Sequence, residues 1–266
     1  MVKTSITRRK FSATTAAASG LILAPAVQML RAQSTDRTRL SARPDASAPR
    51  SAMPGLRPVG LRSQRDALLY VPESSAKFEQ APLFISLHGA TRNADRGIEP
   101  FRSLADKHGF LLLAPASEDH SWDALEGDFG ADVAFISQCM ARIYEQRRID
   151  PARIAMAGFS DGATYALSLG LANGDLFNAV FGFSPGFVVP AERIGKPPVF
   201  ISHGTIDPVL PIEQCSRVIV PQLERLGYRV TYREFEGKHT LPPEIAADAL
   251  SWFMERRSMQ GTPSKA

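Results

Sequence analysis

From residue 66 onward, short β-like runs, most of them continuously apolar, alternate with longer segments of helical period. The runs are ALLYVP (67–72), PLFISLHG (82–89), FLLLAP (110–115), RIAMAG (153–158), AVFGFSP (179–185), PVFISHG (198–204) and YRVTYREFE (228–236). Continuous apolarity over so short a length suits strands covered on both faces, as in a parallel sheet. Between them the spacing predicts helices near 100–108, 132–147, 161–173, 212–226 and 243–257. Val133, Ile136, Met140 and Ile143 share one stripe of the second, and Ile245, Ala249, Trp252 and Phe253 one stripe of the last. Such alternation builds a layered α/β fold, with a mostly parallel central sheet and helices on both faces. No internal repeat interrupts it.

The 266 residues are 44% hydrophobic, enough apolar material for one sizeable core. The formal net charge of +4 is unevenly placed. Residues 1–32 hold five of the 31 lysines and arginines (Lys3, Arg8, Arg9, Lys10 and Arg31) and no acid, which leaves 26 basic against 27 acidic residues. From residue 66 the balance is 19 basic to 25 acidic. A polyanion-binding domain is not indicated, and no nucleic-acid partner is expected.

The opening TSITRRKF, followed by SATTAAASGLILAPAVQMLRA, resembles a twin-arginine export signal. Thr7, Arg8, Arg9 and Phe11 lie on its pattern, and Ser12 replaces the leucine often found there. Ala, Ser and Thr dilute residues 11–30 below the ~20 predominantly apolar residues of a spanning helix. The expectation is a cleavable signal over 1–32, the twin-arginine export machinery as a partner of the precursor, a periplasmic or secreted product, and no stable membrane anchor after cleavage. Residues 33–54, rich in Ser, Pro, Ala and Arg, read as a disordered linker. The folded domain is expected over 55–260.

At residues 158–162 the chain turns from strand to helix through Gly158, Phe159, Ser160, Asp161 and Gly162. This stretch resembles the nucleophile elbow, Gly-x-Ser-x-Gly, of the α/β-hydrolase superfamily, where a serine on a sharp corner projects its hydroxyl above the sheet. A serine is a poor nucleophile at neutral pH and needs a base. The superfamily's chain order of serine, acid and histidine implies Asp207 in ISHGTIDPVLP as the acid and His239 in FEGKHTLPPE as the base. Asp175 reads instead as a helix end and Glu213 as a helix start. His108 and His120 read as solvent-facing. His88 and His203 each close a strand before a glycine, a position equally suited to structural hydrogen bonding.

SLHGATRN (86–93) resembles the His-Gly-x segment of carboxylesterases, which implies an oxyanion hole built from the backbone N–H groups of Ala90 and Asp161. LHGATRNA, DVAFISQ, AGFSDGATYAL and SHGTIDPVLP together are similar to phospholipase/carboxylesterase-type hydrolases and to polyhydroxybutyrate depolymerase and feruloyl esterase-type hydrolases. Asp161 and Ala163 depart from the Gln and second Gly common in the first group. The likeness implies an α/β-hydrolase fold and a serine carboxylesterase acting through Ser160 on small-molecule or polymeric esters. Its alternative is a polyhydroxyalkanoate depolymerase or feruloyl esterase working on polymeric material; a peptidase, which usually carries an accessory domain, ranks below both.

The connection PGFVVPAERIGKP (185–197) is too short for a large lid domain. The loop ASEDHSWDALEGDFGAD (116–132) is long and acidic. Either it lines the substrate pocket through Trp122, with His88 beside it as a second substrate-binding residue, or it is a solvated surface loop with Trp122 tucked inward. No metal or cofactor signature is present, so neither is expected. Cys139 and Cys215 fall in helices that the superfamily's strand order separates, which predicts two free thiols.

Overall fold

The computed structural model describes residues 37–260, except positions 51 and 92. Eight strands form one sheet: β1 (Gly55–Pro58), β2 (Leu68–Val71), β3 (Ala81–Leu87), β4 (Leu111–Ala114), β5 (Ile149–Phe159), β6 (Ala179–Phe183), β7 (Val199–Gly204) and β8 (Val230–Phe235). Their spatial order is β1-β2-β4-β3-β5-β6-β7-β8. β2 runs antiparallel to both neighbours, and every other pairing is parallel. The helices are α1 (Ala94–Ile98), α2 (Arg102–His108), α3 (Asp123–Glu126), α4 (Ala131–Gln146), α5 (Asp161–Ala172), α6 (Ser216–Arg225) and α7 (Pro243–Gln260).

Side chains alternate across a strand, and here both faces are apolar. On one face Leu83, Ile85 and Leu87 of β3 and Ile154 and Met156 of β5 pack with Phe135, Ile136 and Met140 of α4 and Ile219 and Leu223 of α6. On the other, Phe84, Ala155, Ala157, Phe181 and Phe183 meet Ile98 of α1, Ala105 of α2 and Leu250 and Phe253 of α7. The alanines of β5 matter to that second layer. Ala155 stands opposite Phe84 and Ala157 opposite Phe181. Their small size lets the two phenylalanines meet across the strand between them, with ring centroids 5.4 Å apart.

The α/β-hydrolase architecture is therefore present, with helices on both faces and, among the described residues, no large lid domain. Each strand and longer helix expected from the alternation has its counterpart. β1, α1 and α3 were not anticipated, because GLRP, ADRGI and DALE are too short to show a period. Cys139 in α4 and Cys215 at the N-cap of α6 are both buried and both free.

The reading of residues 33–54 as a disordered linker needs correction over 37–50. Thr38, Leu40, Ala42 and Ala48 are buried. Arg39 forks onto both carboxylate oxygens of Asp175, at 3.0 and 2.7 Å, and donates to the Ala172 carbonyl at 2.7 Å. Asn173 accepts from the Leu40 N–H at 2.9 Å and donates to the Thr38 carbonyl at 2.8 Å. Composition counted the segment's own apolar surface. What holds it is a set of polar groups at the C-terminal end of α5, where the last carbonyls lack helical partners and a cation is favoured. Residues 1–32, read as an export signal, lie outside the described residues. Among the described residues no helix is long and apolar enough to cross a membrane.

Candidate active site

β5 ends at Phe159 and α5 begins at Asp161, so Ser160 occupies the corner alone. Its φ of 57° and ψ of −121° lie in a region that costs a non-glycine residue about 1–3 kcal/mol. Close packing imposes the corner. A Cβ on Gly158 would stand 2.0 Å from the Gly162 carbonyl oxygen, and one on Gly162 would stand 2.3 Å from the Leu87 carbonyl oxygen. Neither position tolerates a side chain. The Ser160 N–H donates to the Phe183 carbonyl at 3.0 Å, which ties the corner to β6.

Asp207 follows β7 and His239 follows β8, and the parallel order brings both loops to the same edge of the sheet as Ser160. The Ser160 hydroxyl donates to His239 Nε2 at 2.9 Å, and His239 Nδ1–H donates to Asp207 Oδ2 at 2.6 Å. Asp207 Oδ1 accepts from the N–H groups of Val209 and Leu210 at 2.8 and 2.9 Å. Burial would raise this carboxyl. The Leu210 N–H, His239 and the Val209 N–H outweigh it and hold the acid below its ordinary value, so it stays ionised.

His203 stands behind the acid, fully buried. Its Nε2 lies 2.8 Å from the Leu210 carbonyl and 3.2 Å from Asp207 Oδ2, both acceptors, so Nε2 carries the proton. Nδ1 then accepts from the Ser216 hydroxyl at 2.7 Å. Burial pushes this imidazole's pKa down and keeps it neutral.

On the opposite side, residues 88–91 leave β3 and run against the elbow. A Cβ on Gly89 would stand 3.2 Å from the Ser160 Cβ. Asp161 is the first residue of α5, so its N–H has no carbonyl one turn back to bond. The Thr91 N–H, by contrast, is occupied by the His120 carbonyl at 2.7 Å. Ala90 and Asp161 thus sit on the two segments that meet beside the Ser160 hydroxyl.

Of the two substrate-binding expectations, Trp122 needs correction, and His88 lines the cavity beside Ser160 with both ring nitrogens already bonded. Trp122 is fully buried and faces the core, stacked on Tyr165 of α5 with ring centroids 5.1 Å apart, and its Nε1–H donates to the His88 carbonyl at 2.9 Å. The inward-tucked reading holds. His88 is only 2% exposed. Its Nδ1–H donates to the Gly89 carbonyl at 2.8 Å and its Nε2 accepts from the Ser117 N–H at 3.0 Å, which leaves no ring nitrogen for a ligand. Burial lowers its pKa to about 4.

A cavity of about 310 Å³ opens beside Ser160, lined by His88, Gly89, Arg96, Pro100, Phe159, His239 and Leu241 among others. Phe159 also packs on the His239 ring, with centroids 4.8 Å apart. Beyond His88 and His239, sequence reasoning missed these lining residues. Phe159 and Leu241 carried a usable signal, since each lies within two residues of Ser160 or His239. Arg96, paired with Glu99 at 2.6 Å, carried none. Among the described residues no group of three or more His, Cys, Asp or Glu is placed to hold a metal ion.

The family model described as "Esterase PHB depolymerase" matches residues 66–195, from the strand β2 through the elbow to the connection after β6. The crystal structure of esterase PE8 superposes with a TM-score of 0.58 at 26% identity, covering 70% of this chain and 96% of that one. The chain has the α/β-hydrolase fold, and both of these likenesses are to esterases. Among curated relatives of this α/β-hydrolase, the bifunctional acetylxylan esterase/xylanase XynS20E of Neocallimastix patriciarum is 30% identical over 158 residues, 56% of this chain and 22% of that protein. Acyl-protein thioesterase 1 of Gibberella zeae is 30% identical over 126 residues, 42% of this chain and 53% of that protein. The chain spans less than two thirds of the length of either relative.

Proposed function

We propose that this α/β-hydrolase is a serine carboxylesterase that cleaves carboxylic esters through an acyl-enzyme on Ser160. The observation that carries the reading is the unbroken line of hydrogen bonds from the Ser160 hydroxyl through His239 to Asp207. As Ser160 Oγ attacks the ester carbonyl, its proton passes to His239 Nε2. Charge develops on the carbonyl oxygen, where the Ala90 and Asp161 N–H groups receive it. Collapse of the tetrahedral adduct breaks the bond to the alcohol, which leaves with the proton from His239. Water then repeats the sequence on the acyl-enzyme, giving the acid and free Ser160. Asp207 holds His239 in the tautomer that leaves Nε2 bare and stabilises the imidazolium formed in each half.

The cavity of about 310 Å³, with Pro100, Phe159 and Leu241 on its wall, supports small or aryl esters as substrates. A second reading, a polyhydroxyalkanoate depolymerase or feruloyl esterase acting on polymeric material, draws on the exposed Phe187, Ile206 and Val209 in the loops that leave β6 and β7. The twin-arginine pattern at Arg8 and Arg9 supports export of the precursor to the periplasm or beyond. Replacing both arginines with lysine should then leave the precursor in the cytoplasm, and unchanged export would dismiss that route.

The deciding experiment compares wild type with Ser160→Ala on short aryl esters, feruloyl esters, insoluble polyester and peptide amides. Wild type should turn over the soluble esters, and Ser160→Ala should lose about 10⁴-fold or more in kcat while keeping its melting temperature within a few degrees. Substantial turnover by folded Ser160→Ala would refute the assignment. A rate on polyester that exceeds the rate on soluble esters would favour the second reading.

A further inference from the structure

The segment 117–122 fastens both halves of the oxyanion hole at once. Three of its groups hold residues 88–91. The Ser117 N–H donates to His88 Nε2 at 3.0 Å, the His120 carbonyl accepts from the Thr91 N–H at 2.7 Å, and Trp122 Nε1–H donates to the His88 carbonyl at 2.9 Å. A fourth crosses to the elbow, where the Ser121 hydroxyl donates to Asp161 Oδ2 at 2.6 Å. The Trp122 ring bridges the same two halves, lying 4.9 Å from the His88 ring and 5.1 Å from that of Tyr165 on α5. The segment is itself anchored from below. Asp132 accepts from the Glu118 and Asp123 N–H groups at 2.8 and 2.9 Å, and Asp123 accepts from the Tyr165 hydroxyl at 2.8 Å.

We propose that residues 117–122 form a clip that sets the spacing and aim of the Ala90 and Asp161 N–H groups, with Ser121 and Trp122 as positioning residues for ester hydrolysis. The inference rests on the serine esterase reading above. Ala90 and Asp161 lie 71 positions apart in the chain and on different elements, so their two N–H groups share no local geometry. An oxyanion hole works only when its donors stand about 2.7–3.1 Å from the oxygen as charge develops. Two adjacent side chains that bond one half each supply that constraint. A shift of a few tenths of an ångström weakens the transition state and leaves ground-state binding almost unchanged, because the neutral carbonyl asks little of the donors.

The test measures kcat, KM and the affinity for a trifluoromethyl ketone, which forms a tetrahedral adduct bearing an oxyanion, in Ser121→Ala, Ser121→Thr and Trp122→Phe. Ser121→Ala and Trp122→Phe should each lose about tenfold in kcat with KM within about twofold, since they loosen donors whose outright removal costs ~10²–10³. Trifluoromethyl ketone affinity should fall by the same factor. The acid limb of the rate profile should stay in place, because His239 and Asp207 are untouched. Ser121→Thr, which keeps the hydroxyl, should recover most of the loss. A lowered melting temperature with wild-type kcat and wild-type ketone affinity would overturn the clip. If Trp122→Phe does not fold, Ser121→Ala decides by the same criteria. Failure of the underlying reading looks different: Ser160→Ala would then remain active and wild type would not bind the ketone.

Discussion

Two histidine-glycine turns flank Ser160, one at the end of β3 and one at the end of β7, and they use the same residue in opposite tautomers. His88 points Nε2 at a backbone donor, the Ser117 N–H, so that nitrogen is bare. His203 points Nε2 at two acceptors, the Leu210 carbonyl and Asp207, so that nitrogen is protonated. Burial keeps both rings neutral. Each fastens the loop that follows its strand. In the proposed mechanism the β3 flank would present the Ala90 N–H to a developing negative charge, and the β7 flank the Asp207 carboxylate to a developing positive one. The dipeptide sets neither role. The partner across the loop does.

The comparison breaks most visibly at Asp207, the charge on which the β7 flank is built. Asp207→Asn should lower kcat by about 10³–10⁴, because an amide no longer holds His239 in the working tautomer. Glu213→Gln and Asp175→Asn should stay within about twofold of wild type. Equal losses in all three would leave the acid unassigned.

Exchanging the buried histidines sharpens the comparison at smaller cost. His203→Leu removes one donor from Asp207 Oδ2, and the oxygen then binds the imidazolium of His239 more strongly. The acid limb of kcat/KM should move to higher pH, with a loss in kcat of about tenfold. His203→Gln, which restores an N–H donor, should move the limb back. His88→Leu should lower kcat by a similar factor with the limb in place, since its loop carries no titrating partner of His239. A limb that moves equally in His88→Leu and His203→Leu would erase the distinction between the flanks.

The two flanks also differ in how far the chain disclosed them. The elbow was legible because its constraint is local: Gly158 and Gly162 are required by contacts with each other and with β3. Asp207 and His239 followed from the superfamily's chain order and from their places after two strands. At Trp122 the β3 flank left two readings open, because a long acidic loop can line a pocket or sit in solvent over a buried aromatic side chain. Glu118, Asp119, Glu126 and Asp128 are exposed, and Asp123 and Asp132 turn inward. Asp123 accepts from the Gly130 and Asp132 N–H groups, and Asp132 from those of Glu118 and Asp123. Carboxylates used in this way cap backbone donors that would otherwise be buried unpaired, and only the folded loop shows which acids do so.

Those inward carboxylates make the β3 flank sensitive to pH in a way the β7 flank is not. Burial raises the Asp132 carboxyl to about 6, with the nearby Asp123 charge adding to the shift and the two N–H donors opposing it. The fold therefore binds a proton between pH ~4 and ~6 that the unfolded chain has released, and this group's contribution to stability falls as pH rises through that window. Asp207 has the opposite sign, since its lowered pKa is lost as stability when pH falls. In urea titrations the stability of wild type relative to Asp132→Asn should rise on acidification from pH 7 to 5, by on the order of 1 kcal/mol. A difference that stays constant with pH would show that Asp132 does not titrate in this range.

The smallest effect is expected where neither flank is touched. α5 offers Asp161 at its N-terminal end, and its C-terminal end is held by Arg39 through Ala172 and Asp175. The Arg39 side chain is 27% exposed and Asp175 37%, so solvent screens their pairing and its net worth is about 1 kcal/mol or less. The hydrogen bond from Arg39 lowers the Asp175 pKa, so the pair stabilises above the ordinary aspartate range and loses that contribution as pH falls. Arg39→Ala should lower the melting temperature at pH 7 by a few degrees at most, by less at pH 3, and should leave kcat and trifluoromethyl ketone affinity at wild-type values. A tenfold fall in kcat with KM unchanged would mean that strain applied at one end of α5 reaches the donor at the other. The oxyanion hole would then be set by the helix as a whole, and the contrast between a locally clipped β3 flank and a locally bonded β7 flank would have to be withdrawn.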